Sequence, residues 1–169
     1  MKDIPWPDSH YVTAAIGWLG LGAPREAAEE LNNLSPGLVD HPDVLEIRWE
    51  IFATRKEWEQ ALDNARQLLQ KAPTRVAGWV HQAYALRRVR GGGLEKARNA
   101  LLPAYKIFPD EDIIPFNLAC YAAQLGSLDE AWDWLEKAMV SAGSKEKIKH
   151  RALADDDLRP LWGRLKEMA

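Results

Sequence analysis

Apolar residues recur along the chain at the spacing of an α-helix. In several stretches the residues three and four positions apart are small or apolar, and most positions between them are polar. That period places the apolar side chains on one face of a helix. Two clear examples are Trp79, Ala83 and Leu86, and Leu118, Ala122 and Leu125. β-Branched residues never alternate with polar ones over the length of a strand, so the pattern predicts an all-α protein.

The helical pattern is itself repeated. Four alanines that are each followed by small or apolar residues four and seven positions later recur at a nearly constant spacing, with successive leading alanines 34, 36 and 34 residues apart. These leading alanines are Ala27, Ala61, Ala97 and Ala131. A helical hairpin of this length cannot bury its apolar face alone. We therefore expect hairpins that stack on their neighbours, with small residues where the helices come closest.

Proline and glycine mark the end of each unit. Pro73 and Pro109 each follow their leading alanine by twelve residues, and Gly143 takes that place in the fourth unit. Proline stops a helix, and glycine is the usual residue just past a helix end. Two extra residues near Gly91-Gly92-Gly93 explain the one spacing of 36. This glycine run predicts a flexible, widened turn.

The pattern predicts a single domain over residues 1–169. Its helix–turn–helix repeats lie at about 8–41, 42–75, 76–111 and 112–143, and capping helices follow at 144–169. We expect the two capping helices at 144–154 and 157–168, with Pro160 near the start of the second, where its missing N–H does no harm. Asp155-Asp156-Asp157 predicts an N-cap for that helix in preference to a cation site.

The fourth repeat carries the clearest family motif. It contains Phe116-Asn117-Leu118-Ala119, then Gly126, then Leu128-Asp129-Glu130-Ala131 and Leu135-Glu136-Lys137-Ala138. The four repeats stay in phase over roughly residues 8–143, and over this range the chain resembles the tetratricopeptide repeat (TPR) family. The stretch at 154–162 resembles the endings of bacterial TPR proteins. The resemblance implies an α-solenoid of about four TPR helical hairpins plus C-terminal capping helices. Trp49 departs from the family pattern, which prefers glycine or alanine at that site.

The resemblance also implies where a partner binds. In TPR proteins the first helices of successive repeats line a concave groove that receives a peptide or a partner helix. The predicted groove residues are Glu46, Glu50, Val80, His81, Tyr84, Arg87, Arg88, Phe116, Asn117 and Gln124, with Val12, Ile16, Leu19 and Cys120 beside them. TPR co-chaperones that grip an acidic chain terminus have lysine and asparagine where Val12 and Ile16 stand, so that ligand is not expected here.

Composition and charge narrow the function further. The 169 residues carry 22 Lys+Arg and 25 Asp+Glu, a net charge of −3, which provides no general attraction to nucleic acid or to an anionic membrane. Residues 1–75 hold 8 basic and 12 acidic residues, against 14 and 13 in residues 76–169. Cys120 is the one cysteine, and no stretch approaches the roughly 18 apolar residues of a membrane span. We expect a cytoplasmic protein that binds neither nucleic acid nor a membrane.

Few residues are candidates for a catalytic, phosphate-binding or metal-binding site. The histidines at 10, 41, 81 and 150 have no partner at metal-ligand spacing, and one cysteine builds no zinc site. The glycine run at 91–93 lacks the lysine and hydroxyl residue of a phosphate loop. Cys120 has no histidine nearby in the sequence to act as a base. The basic runs at 87–90 and 145–151 predict a helix C-terminus and a solvated helix face. The sequence therefore predicts no catalytic residue, cofactor or metal, and not an enzyme.

Three hypotheses follow for function. The leading one is a non-enzymatic scaffold or adaptor that binds a peptide or helix of an unidentified partner protein. The second is a self-associating, homo-oligomeric scaffold or a secretion-type chaperone, because tryptophans such as Trp6 and Trp58 are expected to be exposed. The third is a catalytic or nucleic-acid-processing accessory role, which needs convergent titratable groups that the sequence does not reveal.

Overall fold

A computed structural model describes residues 4–168 and confirms the all-α prediction. Within these residues the chain forms ten α-helices and no strand. The helices are α1 (Asp8–Gly20), α2 (Pro24–Leu31), α3 (Pro42–Thr54), α4 (Trp58–Lys71), α5 (Val76–Leu86), α6 (Leu94–Ile107), α7 (Ile113–Gln124), α8 (Leu128–Ser141), α9 (Lys145–Leu153) and α10 (Trp162–Glu167). Short 3₁₀ segments lie at Pro36–Leu38 and Asp156–Leu161. No helix in this part of the chain has the length and apolarity to cross a membrane.

Two helices begin at residues that are favourable for helix capping. Helix α3 begins at Pro42, where a missing backbone N–H is harmless, and the ring of His41 accepts a hydrogen bond from the backbone N–H of Asp43 at 3.3 Å. Helix α9 is capped by Ser144, whose hydroxyl accepts from the backbone N–H of Lys147 at 3.2 Å. Such caps satisfy donors that have no partner within the helix. The starts of α3 and α9 thus follow from local sequence signals.

Contacts between residues divide the chain into two compact units. The first is Met1–Ala85 and holds α1 to α4 and nearly all of α5. The second is Leu86–Ala169 and holds α6 to α10. The single domain over residues 1–169 stays a prediction.

The core of the first unit forms around buried alanines. Ala15, Ala27 and Ala61 have no exposed surface, which lets the helix backbones approach closely. Larger residues fill the space between α1, α2 and α3: Val12, Leu31, Leu34, Val44, Ile47 and Ile51. One buried charge joins them. Asp8 is 4 % exposed and accepts hydrogen bonds from the backbone N–H of Ser35 at 2.6 Å and from its hydroxyl at 2.9 Å.

Helix α7 is the most buried element of the second unit. Its residues are buried around nearly the whole helix: Ile114, Pro115, Phe116, Leu118, Ala119, Cys120, Tyr121, Ala122 and Ala123. An ordinary surface helix buries one stripe only. Here α6 and α8 pack against α7, and the 3₁₀ segment Asp156–Leu161 packs against it as well. The C-terminal segment therefore covers surface that a first helix of a repeat would otherwise present.

The end of the chain differs from the prediction. In place of one helix over 157–168, a 3₁₀ segment over Asp156–Leu161 precedes the short α10. Pro160 lies inside the 3₁₀ segment, and proline cannot donate the backbone hydrogen bond that a regular α-helix needs at such a position. The predicted N-cap is confirmed, because the carboxylate of Asp155 accepts from the backbone N–H of Asp157 at 3.0 Å. Leu158, Leu161 and Leu165 are buried, as expected of a cap.

The turn after α5 has a backbone geometry that requires its glycines. Gly91 and Gly93 have φ of 73° and 122°, which side-chain-bearing residues rarely adopt. A Cβ atom on Gly92 would lie 1.9 Å from the carbonyl oxygen of Leu86. The backbone N–H of Gly93 donates to that same oxygen at 2.9 Å. The φ angles of Gly91 and Gly93 and the close approach at Gly92 therefore require glycine at all three positions, and the flexibility of the turn stays a prediction.

Candidate partner-binding faces

The predicted groove residues fall into both compact units. Glu46, Glu50, Val80, His81 and Tyr84 belong to the first unit. Arg87, Arg88, Phe116, Asn117 and Gln124 belong to the second. The two groups have different surroundings.

In the first unit, α3 and α5 meet through aromatic side chains. The ring of Trp49 on α3 stacks on His81 of α5, with centroids 3.8 Å apart and planes 4° apart. Tyr84 presents its edge to Trp49 at 5.8 Å and lies 5.9 Å from Trp58. We call Trp49, Trp58, His81 and Tyr84 the aromatic cluster. Helix α3 runs unbroken through Trp49, so this departure from the TPR pattern is accommodated by stacking on the neighbouring first helix.

Burial sets the chemistry of the aromatic cluster. It lowers the pKa of His81 to about 4, so the ring is neutral at physiological pH. Trp49 is 8 % exposed, and its indole N–H finds no hydrogen-bond acceptor among the described residues. The Nδ1 atom of His81 is likewise buried without a partner there. Because its pKa lies far below neutral pH and its ring is stacked on Trp49, His81 is a weak base.

Three acids line the face of α3 beside this cluster. Asp43, Glu46 and Glu50 are spaced at i, i+3 and i+7, which places them on one stripe of the helix. We call them the acidic stripe. Arg75, just before α5, bonds to Asp43 at 2.5 Å and to Glu46 at 2.8 Å, and these contacts raise the pKa of its guanidinium. One cation therefore neutralises part of the acidic stripe.

Glu50 is the exception within the acidic stripe. Its side chain is exposed, and no side chain of residues 4–85 forms an ion pair or hydrogen bond with its carboxylate. Partial burial, and then the negative charge of Glu46, raise the pKa of Glu50. The carboxylate is thus less favourably placed in the folded chain than in water. A cationic partner group would offset both effects by attracting the ionised carboxylate.

The remaining first-unit predictions have mixed outcomes. Val80 is half-buried on α5, one residue before His81. Trp6 is 82 % exposed, as expected. The expectation that Trp58 is exposed is wrong, because its ring is half-buried in the aromatic cluster. Ile16 is 55 % exposed while Val12 on the same helix is buried in the core.

In the second unit, Arg87 and Gln124 bind the C-terminal segment. Arg87 donates to both carboxylate oxygens of Asp157, with 2.7 Å between Nη2 and Oδ1. The side-chain amide of Gln124 donates to the backbone carbonyl of Asp157 at 2.9 Å. The hydrogen bond to Asp157 is also the main reason that the pKa of Arg87 is raised. The side chains of Arg87 and Gln124 are therefore occupied by the C-terminal segment of the chain itself. Arg88, the next residue after Arg87, is half-buried.

Phe116 and Asn117 are also engaged internally. Phe116 is 2 % exposed, and the guanidinium carbon of Arg151 lies 3.8 Å from the centre of its ring. Asn117 turns its amide back to donate to the carbonyl of Ile113 at 2.8 Å. The expectation that Phe116 is presented to a partner is therefore wrong, while that for the half-buried Asn117 stays a prediction. Phe116 is covered because the guanidinium of Arg151 lies over its ring and the 3₁₀ segment packs on α7.

Cys120 is buried against two aspartates. Its Sγ lies 3.8 Å from the carboxylate of Asp155, and thiol and carboxylate atoms of Cys120, Asp155 and Asp157 lie within 4.8 Å of one another. Burial, and then the two negative charges, raise the pKa of the thiol, which makes it a poor nucleophile. The charge of Asp157 is already matched by Arg87. Pairing within the chain therefore accounts for the proximity of Cys120, Asp155 and Asp157 without a metal ion.

Three residues of the basic run on α9 form contacts within the second unit. Lys147 pairs with Asp112 at 2.6 Å, and Arg151 lies 3.7 Å from the same carboxylate. Lys149 donates to the backbone carbonyl of Met168 at 2.6 Å. These contacts tie α9 to the start of α7 and to Met168, while Lys145, Lys147 and His150 are exposed, so part of the run is the solvated face that the sequence predicts.

Two important residues were missed in the sequence. Arg75 lies 32 and 29 residues after Asp43 and Glu46, close to one repeat period, and that spacing was the available signal for an inter-repeat ion pair. Asp157 lies 70 residues from Arg87 and outside the repeats, so no periodic signal pointed to their pairing.

Comparison with solved structures shows the fold. TTC0263, a thermophilic TPR protein of Thermus thermophilus, superposes with a TM-score of 0.68 over 95 % of this chain and 100 % of its own, at 17 % identity. MamA AMB-1 gives a TM-score of 0.61 over 96 % of this chain and 98 % of its own, at 16 % identity. No family model and no curated protein sequence matches the chain. The predicted TPR-type α-solenoid fold is confirmed, and identities this low speak to the fold alone.

Proposed function

We propose that this protein is an interaction scaffold that binds a peptide or helix of a partner protein on the face formed by α3 and α5, and that it carries out no catalysis. The observation that carries the proposal is the unequal availability of the predicted groove residues. In the second unit, Arg87, Phe116, Asn117 and Gln124 are engaged by internal contacts. In the first unit, Glu50 is exposed with an uncompensated charge beside the aromatic cluster.

The α-solenoid fold supports the proposed role as an interaction scaffold. Stacked helical hairpins present extended surfaces, and partner binding is their common use. The side chains that could serve as nucleophile or base in a catalytic step are unsuited to it, since the Cys120 thiol is held protonated and the His81 ring is stacked on Trp49 with a low pKa. We further propose a single domain acting in a bacterial cytoplasm, on the basis of the lone cysteine and of the chain ending that resembles bacterial TPR proteins.

The test is selection from a random peptide library displayed on phage. Wild type would be compared with Glu50→Lys, and with Glu59→Lys as a matched control on the exposed surface of α4. All three should show the same helical circular dichroism. Peptides enriched by the wild type and the control but lost with Glu50→Lys would support binding at this face. An identical set from all three proteins would place binding elsewhere, and no enrichment would overturn peptide binding.

A second candidate function is self-association, which exposed apolar residues in the first hairpin favour. Trp6, Ile16 and Leu21 are 82 %, 55 % and 77 % exposed. Light scattering over a concentration range from about 1 to 100 µM would test it by mass action. A mass that rises with concentration, and falls back to the monomer in Leu21→Glu, would support this candidate. A constant monomer mass would eliminate it.

A further inference from the structure

We propose that the partner of the α3–α5 face is an extended basic peptide whose arginine or lysine side chains pair with Glu46 and Glu50. This inference rests on the function proposed above and specifies its ligand. Three observations within the first unit lead to it: the charge balance of α3, the unmet hydrogen-bonding capacity of the aromatic cluster, and the spacing of the acids.

The charge balance of the α3 face is negative. The acidic stripe contains three carboxylates, Asp43, Glu46 and Glu50, and Arg75 is the cation that bonds to it. Three other cations of residues 4–85 bond to other groups. Arg48 donates to the carbonyl of Val39, Arg55 pairs with Glu57, and Lys71 pairs with Asp40. The acidic stripe thus retains two negative charges, centred on the exposed carboxylate of Glu50, and complements a cationic ligand.

The aromatic cluster beside the acidic stripe has unmet hydrogen-bonding capacity. The indole N–H of Trp49 needs an acceptor, and Nδ1 of His81 needs a donor, and neither finds one among residues 4–168. Buried polar groups without partners are rare and disfavour the folded chain. Both atoms are fully covered in the free chain. A peptide backbone, which provides both a carbonyl acceptor and an N–H donor, would therefore satisfy them only if a ring of the cluster moves aside. The half-buried ring of Tyr84 adds an apolar surface for the aliphatic stem of a lysine or arginine.

The spacing of the acids suits an extended chain. Glu46 and Glu50 are four residues apart on one helix, which separates them by about 6 Å along its axis. Alternate side chains of an extended peptide lie on one side of its backbone and are about 6.6 Å apart. A peptide that runs along α3 with a basic residue at every second position would therefore reach both carboxylates.

The probe is a fluorescein-labelled peptide in which arginine alternates with leucine, measured by fluorescence anisotropy. Matched peptides carry glutamine or glutamate in place of arginine. We expect the arginine peptide to bind at least about tenfold more tightly than the glutamine peptide. Glu50→Gln should weaken the arginine peptide about fivefold, and Glu59→Gln, which makes the same change in net charge on α4, should leave it unchanged. Glu50→Lys should shift preference toward the glutamate peptide.

A second readout reports the site directly. In ¹H–¹⁵N correlation spectra the indole N–H of Trp49, assigned by its loss in Trp49→Phe, should shift when the arginine peptide is added. An unshifted Trp49 signal, or equal affinity of wild type and Glu50→Gln for the arginine peptide, would overturn the inference.

The experiment separates this inference from the proposed function. Library peptides that lose binding with Glu50→Lys but are not enriched in arginine or lysine would refute the basic ligand while leaving partner binding at this face intact. If no peptide of any charge binds, the proposed function fails as well. Self-association that Glu50→Lys abolishes would identify a second copy of the chain as the occupant, which also overturns the inference.

Discussion

Arg87 and Asp157, seventy residues apart, form a forked ion pair in which the guanidinium donates to both carboxylate oxygens. The two side chains are only 21 % and 24 % exposed. Charge-assisted pairs of this geometry are stronger than single hydrogen bonds. The pair holds the 3₁₀ segment Asp156–Leu161 against the residues that follow α5, and it explains why a residue predicted to contact a partner is occupied by the chain itself.

Asp157→Asn should destabilise the protein. The amide keeps the size of the carboxylate but leaves Arg87 without its opposite charge in a partly buried place. We expect the free energy of unfolding to fall by about 1–3 kcal/mol. Urea unfolding followed by circular dichroism measures it, with Asp156→Asn, an exposed neighbour, as the control. Equal midpoints for the two variants would show that the pair contributes nothing to stability.

His81 should make stability depend on pH on the acid side. Its pKa is about 4 in the folded chain and 6.5 in the unfolded one. Between these values the unfolded chain binds a proton that the folded chain does not, so the stabilisation is present above pH 6.5 and is lost as the pH falls toward 4.

The variant His81→Phe isolates this effect, because it keeps a ring against Trp49 and removes the titration. Between about pH 7 and pH 4 we expect the wild type to lose about 2–3 kcal/mol more of its unfolding free energy than the variant does. Urea titrations at both pH values measure the difference. Parallel losses in the two proteins would contradict the assigned burial of His81.

Glu50→Gln should slightly stabilise the protein at neutral pH. Because the pKa of Glu50 is raised above its ordinary value of 4.5, its ionised form is disfavoured by folding. The destabilisation is fully present above the raised pKa of the folded chain and vanishes below 4.5, where the group is protonated in both states. For an exposed side chain we expect a few tenths of a kcal/mol.

Thermal unfolding of Glu50→Gln and Glu59→Gln at neutral and at acidic pH tests this prediction. A gain for Glu50→Gln at neutral pH alone is the expected result, and a loss would show that Glu50 has a stabilising contact. A residue that lowers stability and stays exposed is typical of a binding function.

Gly92→Ala should disrupt the turn after α5. The added Cβ would meet the backbone oxygens of Leu86 and Val89 at 1.9 and 3.0 Å, and backbone atoms cannot rotate away as a side chain can. We expect a loss of about 2 kcal/mol or more in unfolding free energy. Gly37→Ala is the control, since nothing lies within 4 Å of its Cβ position. Thermal unfolding of both variants decides the matter, and a Gly92→Ala protein as stable as the control would refute the close packing of this turn.

The candidate site could be predicted in part. The TPR resemblance pointed to Glu50 and His81 on first helices, and the structure brings α3 and α5 together around His81 and Trp49. It also pointed to Phe116, whose burial under Arg151 no repeat pattern indicates, because Arg151 lies outside the repeats. A face defined by a repeat is predictable only where nothing from outside the repeat packs on it.

The sequence by itself determined the helices and their order. Leading alanines at 34, 36 and 34 residues, with prolines and glycines at the unit ends, are local signals, and local signals set where a helix starts, stops and buries its apolar side. The tertiary structure alone decided which of the predicted groove side chains are occupied internally. Asp157 reaches Arg87 because a non-repeating C-terminal segment docks on α7 through Leu158 and Leu161, and such long-range docking depends on shape and burial that no periodic pattern encodes.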